Sequence, residues 1–257
     1  MYNIGLVVPV YQVQNINKII KLLIKTCKTD DVVICIVNDG QPAVKEFLQS
    51  KTWPINIEIL NLDENRCFAG ANNAGWKFLI NKYPDLNYLG SINDDTIPKK
   101  KWLTFLVQAL ETNINTALSM PVMGTNRGLF GLRKRFSTWK LSGASKMLPD
   151  KTRIYKDTFV SAVNGYCFLM DRNVLEDINY FDEQFKNGSE DLDLGIRILL
   201  NGKRLIVCKK SYVFHFGEIS RYKNKNTNIS ENHKRLAIKW DKNIERFNQL
   251  ENGYYHG

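Results

Sequence analysis

The chain has 257 residues, 44% hydrophobic and 24% charged, which suits a globular protein with a sizeable core: one large domain and a C-terminal appendage. Its formal charge of +10 is spread over small groups (residues 99–101, 133–135, 203–204, 209–210 and 221–225) without an RNA-binding, zinc-finger or helix-turn-helix signature, so a solvated basic face is expected and specific nucleic-acid readout is not. Five scattered cysteines, none spaced as CxxC, argue against a disulfide framework or zinc site, and with no leader-like start and no run of 18 apolar residues the expectation is a cytoplasmic protein.

Residues 4–10 (IGLVVPV) read as a buried strand, and 15–27 follow with apolar residues at Ile16, Ile19, Ile20, Leu23 and Ile24, a helical spacing. A second strand over 32–37 ends in Asn38, Asp39 and Gly40. A helix over 42–50 and a third strand over 55–60 come next. Alternating β and α elements predict an α/β fold, a mostly parallel sheet flanked by helices. Residues 65–75 (NRCFAGANNAG) form a turn rich in Gly, Asn and Ala that opens a helix running to about Tyr83. Small residues there allow close backbone approach to a ligand, and the helix N-terminus offers N–H groups to an anion. The stretch matches neither GxGxxG nor the P-loop pattern, which lowers the case for a dinucleotide or ATPase fold.

Residues 87–98 (NYLGSINDDTIP) hold the most informative feature. A short apolar strand stops abruptly at Asn93, Asp94 and Asp95, after which Thr96 and Pro98 read as a helix start, with an amphipathic body over 101–112. Carboxylates at the C-terminal tip of a strand in an open α/β sheet suit a divalent cation that also carries phosphate oxygens. The competing reading is a turn that merely caps the following helix. After a strand over 117–122, residues 124–157 lack periodicity and carry glycines, a basic group and aromatic residues, as a mobile segment near a site would.

Strand character returns over 159–170 around Asn164 and Gly165. A second acidic centre then precedes a helix whose apolar stripe is Leu192, Ile196, Leu199 and Leu200, with Glu190 and Asp191 in its first turn. Asn187 and Glu190 fit a capping box, and the helix dipole favours an ionised Asp191, the state a general base needs. A strand over 205–216 ends near His215; a lone histidine is more often structural than a ligand. A helix over 231–250 carries Leu236, Trp240, Ile244 and Phe247 on one face and can lie back on the domain.

Taken in order, these motifs resemble the family 2 glycosyltransferases of the GT-A fold, especially the rhamnosyltransferase-like branch, from VVPVY at residues 7–11 to KWD at 239–241. The resemblance implies a GT-A domain over 1–220 whose 124–157 loop lies on the acceptor side, with a helix and tail over 221–257 packing on it. It implies that Asp39 of VNDG binds the nucleotide base with Pro9 and Tyr11 lining the pocket, and that Asn65, Gly70 and Asn72 belong to the donor loop, where Cys67 and Ala71 stand at expected glycines. INDDT is similar to the family's DXD-type motif, with Asp95 as metal ligand, Asn93 at the position that is often acidic, and Asp94 supporting the ribose or metal-bound water. SEDLDL resembles the Glu-Asp motif, Asp191 falling on the general base with Glu190 beside it. His215 matches a late histidine that completes the metal or diphosphate site, and Asn164 and Gly165 match a segment lining the acceptor.

The chemistry so implied is inverting transfer of a sugar from a UDP- or dTDP-linked donor to a hydroxyl of a glycan, glycolipid or other glycoconjugate. Mn²⁺ or Mg²⁺ would be the cofactor, and the basic surface would suit an anionic lipid carrier at the cytoplasmic face of a membrane. The alternatives are a sugar-phosphate nucleotidyltransferase, for which residues 7–15 supply no phosphate-binding signature, and a basic binding module whose acidic turns are only caps.

Overall fold

The computed structural model describes residues 3–27, 31–125, 157–216 and 229–240. Strand β1 (Ile4–Val10), helix α1 (Ile16–Thr26), β2 (Val32–Asn38), α2 (Pro42–Gln49), β3 (Ile57–Asn61) and α3 (Cys67–Lys82) alternate as the sequence predicts. β4 (Tyr88–Ile92), β5 (Thr96–Pro98), α4 (Trp102–Thr112), β6 (Thr116–Thr125), β7 (Thr158–Val160), β8 (Cys167–Asp171), α5 (Arg172–Asp177), α6 (Glu190–Leu200), β9 (Arg204–His215) and α7 (Ile229–Trp240) follow. The larger part of the expected 124–157 loop, residues 126–156, lies outside the described residues, as do the polar stretch over 217–228 and the tail from 241 onward.

The sheet runs β3-β2-β1-β4-β8-β6-β9-β5, with β7 paired to β9. β3, β2, β1 and β4 are mutually parallel, whereas β8 is antiparallel to both β4 and β6, so the sheet is mixed. Its strands read as continuous apolar runs because both faces are covered. Even-numbered residues of β1 (Leu6, Val8) join the core that contains Ile19 and Leu23 of α1, Leu48 of α2 and Leu106 of α4. Odd-numbered Val7 joins the core on the other face with Trp76 and Leu79 of α3 and Leu194 and Ile198 of α6. Gly75 is what lets α3 lie so close, since a Cβ there would stand 2.8 Å from methyls of both Val37 and Val7.

Strand order reverses at β1, which lies between β2 and β4. The C-terminal ends of β1, β2 and β4 therefore open onto one crevice, the place where α/β sheets bind ligands.

The residues that read as a helix start at Thr96 and Pro98 form β5 instead, paired antiparallel with β9 so that Thr96 faces His215. α4 begins only at Trp102, after Lys101 at φ 65°, so Asp94 and Asp95 are not its caps. The predicted stripe of α6 is also turned: Leu194, Ile198 and Leu199 are buried together with Asp193, while Leu192, Ile196 and Leu200 are only half-buried. No side-chain cap closes that helix. Ser189 occupies the N-cap at φ 70°, and the Glu190 carboxylate accepts from the Gly188 amide, so the expected Asn187 capping box is not formed.

Trp76 ties the second core together. It is fully buried, donates from Nε1 to the Gly90 carbonyl at 2.9 Å and stacks on Phe181 at 5.3 Å. Trp76→Ala is expected to destabilise the fold by about 3–5 kcal/mol, and Trp76→Phe, which loses one hydrogen bond and leaves part of the indole's space unfilled, by about 2 kcal/mol. Urea midpoints at unchanged m-value are the measurement that checks both.

Candidate active site

Three turns at the strand ends build the site. After β2, Asp39 and Gly40 make a tight turn, Gly40 at φ 71°, where a Cβ would come within 2.5 Å of the Asn65 nitrogen. Contact with the 64–66 backbone brings the Arg66 N–H to Asp39 Oδ1 at 2.7 Å, and the Asn65 side chain accepts from the Cys67 amide at 2.8 Å. Burial raises the Asp39 carboxyl to about 6, against the pull of the Arg66 and Cys67 amides. Cys67 adopts φ 59° where the family pattern has glycine, so the backbone keeps a glycine-like bend although a side chain is present.

After β4, the turn at 93–96 is held from three sides. The Asn93 amide donates to the Tyr166 carbonyl at 2.9 Å, Thr96 Oγ1 donates to the Asn93 carbonyl at 2.7 Å, and the Phe216 amide donates to the Asp95 carbonyl at 3.1 Å. β9 delivers His215, whose Nε2 lies 3.1 Å from Asp95 Oδ1 and 3.4 Å from Asn93 Nδ2; its ring stacks on Tyr166 at 4.9 Å. Burial pushes the Asp94 carboxyl up to about 7, the charge of Asp95 adds to this, and a hydrogen bond from the Asn15 side chain opposes it. Lys18 of α1 faces the same pair. Burial lowers its pKa while Asp95 and Asp94 pull it upward.

Opposite these, Asp191 Oδ2 accepts from the Gly165 amide at 3.0 Å and Oδ1 from the Leu192 amide at 2.9 Å. A Cβ on Gly165 would sit 3.3 Å from Asp191 Oδ2, so the missing side chain is what admits the carboxylate. The next residue, Tyr166, holds Asn93. A single short segment thus joins the general-base candidate to the acidic turn.

The structure gathers Asp39 with Asn65, Asn93 with Asp95 and His215, and Gly165 with Asp191. Asn72 is different, since it is 0% exposed and its amide donates to the Phe68 carbonyl of its own helix. Gly70 lies beneath the Arg66 side chain, Pro9 is half-buried in β1 opposite Val37, and Tyr11 is 37% exposed just beyond it. Asn164 is exposed, with its backbone N–H toward the Met120 sulfur at 3.2 Å. Sequence reasoning did not select Asn15, Lys18, Arg66 or Tyr166. Only Tyr166 carried a signal, its place directly after the Asn164–Gly165 pair.

The donor set fits a divalent cation shared with phosphate. Asp95 and His215 touch, and the Asn93 side-chain oxygen is buried with no hydrogen-bond partner. Among the described residues no group of three or more His, Cys, Asp or Glu could hold a metal by itself, whereas a Mg²⁺-like ion commonly takes one or two protein ligands and completes its shell with substrate oxygens and water.

The model of glycosyl transferase family 2 matches residues 6–178. Solved structures with this fold include GalNAc-T7 with UDP, GalNAc and Mn²⁺ (TM-score 0.63, 16% identity, covering 83% of this chain and 43% of that one). A mannosyltransferase of Pyrobaculum calidifontis in complex with GDP-Man and Mn²⁺ aligns with TM-score 0.61 and 14% identity, over 83% of this chain and 56% of that one. S. aureus TarS, residues 1–349, aligns with TM-score 0.57 and 15% identity, over 87% and 63%. The chain therefore spans about half the length of these structures. No curated protein sequence matches it. Asp191 and His215 lie beyond the span matched by the family model.

Asp39 and Asp94 set the pH dependence of the metal-free protein. A carboxyl raised above its ordinary 3.8 keeps in the folded state a proton that the unfolded chain has released. The stability these two groups contribute is therefore full near pH 4 and is lost as pH rises to about 7. Asp182 and Glu183, which hydrogen bonds and neighbouring cations hold low against the effect of burial, act in the opposite sense only at more acidic pH. Melting temperatures in EDTA are expected to fall from pH 5 to pH 8, and Asp94→Asn to flatten most of that slope.

Proposed function

The chain belongs to glycosyl transferase family 2, and from that premise we propose an inverting transferase of the rhamnosyltransferase-like branch. It moves a sugar from a UDP- or dTDP-linked donor to a hydroxyl of a glycan, glycolipid or other glycoconjugate. The observation that carries the reading is the 165–166 segment, which presents Asp191 through the Gly165 amide and fixes the Asp95–His215 turn through the Tyr166 carbonyl.

In this reading Asp39 receives the base beside Pro9 and Tyr11, and the turn at 65–67 lies along the diphosphate. Asp95 and His215, with the partnerless Asn93 oxygen, would hold a divalent cation, which when bound would supply Lewis-acid neutralisation of the departing nucleoside diphosphate. Asp191, oriented by two amides, takes the proton of the acceptor hydroxyl as that oxygen bonds to the anomeric carbon and the carbon–phosphate-oxygen bond breaks. One displacement inverts the centre, so no covalent sugar intermediate forms. Glu190, turned back onto Gly188, shapes the helix entry beside the base.

Lysines at 21 and 25 on α1 and at 99–101 before α4 supply a basic surface for an anionic lipid-linked acceptor at the cytoplasmic face of a membrane. Among the described residues no helix is long and apolar enough to cross one. In this reading residues 1–220 form the catalytic unit, and α7 is held against it through Asp193.

Thermal shifts with UDP, dTDP, GDP and CMP, each with and without Mn²⁺, test the reading. One diphosphate is expected to raise the melting temperature only with Mn²⁺, by the equivalent of about 2.7 kcal/mol at a hundredfold excess over Kd. Asp95→Ala should abolish that shift. Asp191→Asn should keep it and lower turnover roughly 10²–10⁴-fold. Absence of any nucleotide effect under all conditions would return the basic binding module to first place.

A further inference from the structure

The residues Lys239 and Trp240 open the KWD motif, and the transfer chemistry above gives them no role. Both reach Asp193, which is 0% exposed although it is a carboxylate. Asp193 Oδ1 is 2.7 Å from Lys239 Nζ and accepts from Trp240 Nε1 at 2.9 Å, while Oδ2 accepts from Arg197 Nε at 2.8 Å. Lys239 Nζ also meets Asp182 Oδ2 at 2.7 Å, and the Arg197 guanidinium donates to the Ile178 and Tyr180 carbonyls. α7 is thereby tied both to α6 and to the turn that precedes it.

Asp193 lies two residues after Asp191. At 100° per residue their side chains leave α6 on nearly opposite faces, so whatever holds Asp193 also sets the rotation at which Asp191 meets Gly165. The entry to the helix holds it through the Glu190–Gly188 bond and a long Asn187–Cys67 contact of 3.5 Å. Asn187, Gly188 and Ser189 all have positive φ (57°, 151° and 70°), Ser189 makes no side-chain cap bond, and its hydroxyl is buried without a partner. Backbone of this kind persists only when its surroundings over-determine it. Beside the apolar packing of Leu194 and Ile198, the directional fixed point is on the far face, at the Asp193 carboxylate and its donors.

We propose that Lys239 and Trp240 are positioning residues: by clamping Asp193 they hold α6 in the rotation that keeps Asp191 Oδ2 on the Gly165 N–H. The catalytic consequence rests on Asp191 being the base, but the geometric claim does not.

Two readouts on the full chain keep these apart, in Trp240→Phe, Lys239→Met and Lys239→Arg. Amide hydrogen exchange at Gly165, followed by NMR, is expected to accelerate at least tenfold in Trp240→Phe and Lys239→Met, while the Ile34 amide in β2 keeps its protection. Lys239→Arg should restore the wild-type rate at Gly165. Hydrolysis of UDP-glucose, dTDP-rhamnose and GDP-mannose with Mn²⁺ should show kcat at least tenfold lower with donor KM unchanged. Unchanged Gly165 exchange overturns the proposal, and so does a kcat loss that merely follows a lowered melting temperature. If the wild-type protein turns over none of the sugars, the transferase reading fails and Gly165 exchange alone decides the positioning. Should Lys239→Met not fold, Trp240→Phe carries the test, since it removes one N–H and retains the aromatic packing.

Discussion

Asp94 and Asp95 stand side by side at the end of β4, where burial makes two negative charges costly, and much of the molecule is arranged around that constraint. Burial and the neighbouring charge hold Asp94 near 7, and the groups that compensate come from distant parts of the chain. Asn15 and Lys18 arrive from the N-cap and first turn of α1, His215 from the far end of β9. None of them could gather there without the reversal of strand order at β1, which aims β4 and its neighbours into one crevice. A dication sharing its shell with a diphosphate is the species best suited to such a pocket, because it offsets both carboxylates at once and brings its remaining ligands with it.

The crevice was legible in the sequence for a simple reason. Strands buried on both faces are uninterrupted apolar runs, so the first polar residue after each marks the sheet edge. Asp39 after β2 and Asn93 to Asp95 after β4 are such residues, and the helical spacing of Ile16, Ile19, Ile20 and Leu23 likewise reads directly as α1. Gly165 was legible as a motif position, but its reason was not. Only the structure shows that the space of its absent Cβ is used by the Asp191 carboxylate.

What stayed hidden depends on long-range pairing or on buried charge. Residues 96–98 look like a helix start because of Pro98, yet their state is set by β9, whose partner residues lie more than a hundred positions further on. The stripe read for α6 misses Leu194 and Ile198 because it passes over Asp193, a carboxylate that is buried beside them. A stripe analysis assigns carboxylates to water; here Asp193 is inside because Arg197, Lys239 and Trp240 meet it there. Asn72 is a related case, since a side chain that the sequence offers to a ligand is sealed in the core.

The segment between α5 and α6 shows how the two halves of the site are coupled. It has little regular structure, and Asn179, Tyr180, Asn187 and Ser189 all sit at positive φ, so its carbonyls cannot be satisfied by a ladder or a helix. Side chains from three helices satisfy them instead. Arg197 of α6 takes the Ile178 and Tyr180 carbonyls, Asn73 of α3 takes that of Phe181, and Arg235 and Asn232 of α7 take those of Gln184 and Lys186. From the same segment Glu183 reaches Arg66 at 2.7 Å, whose own amide holds Asp39. The Asp39 carboxylate just after β2 and the helix that carries Asp191 are therefore fastened to one polar scaffold. Hydrogen bonds have defined directions that apolar contacts lack, so this scaffold specifies the separation of Asp39 and Asp191 more narrowly than core packing alone could.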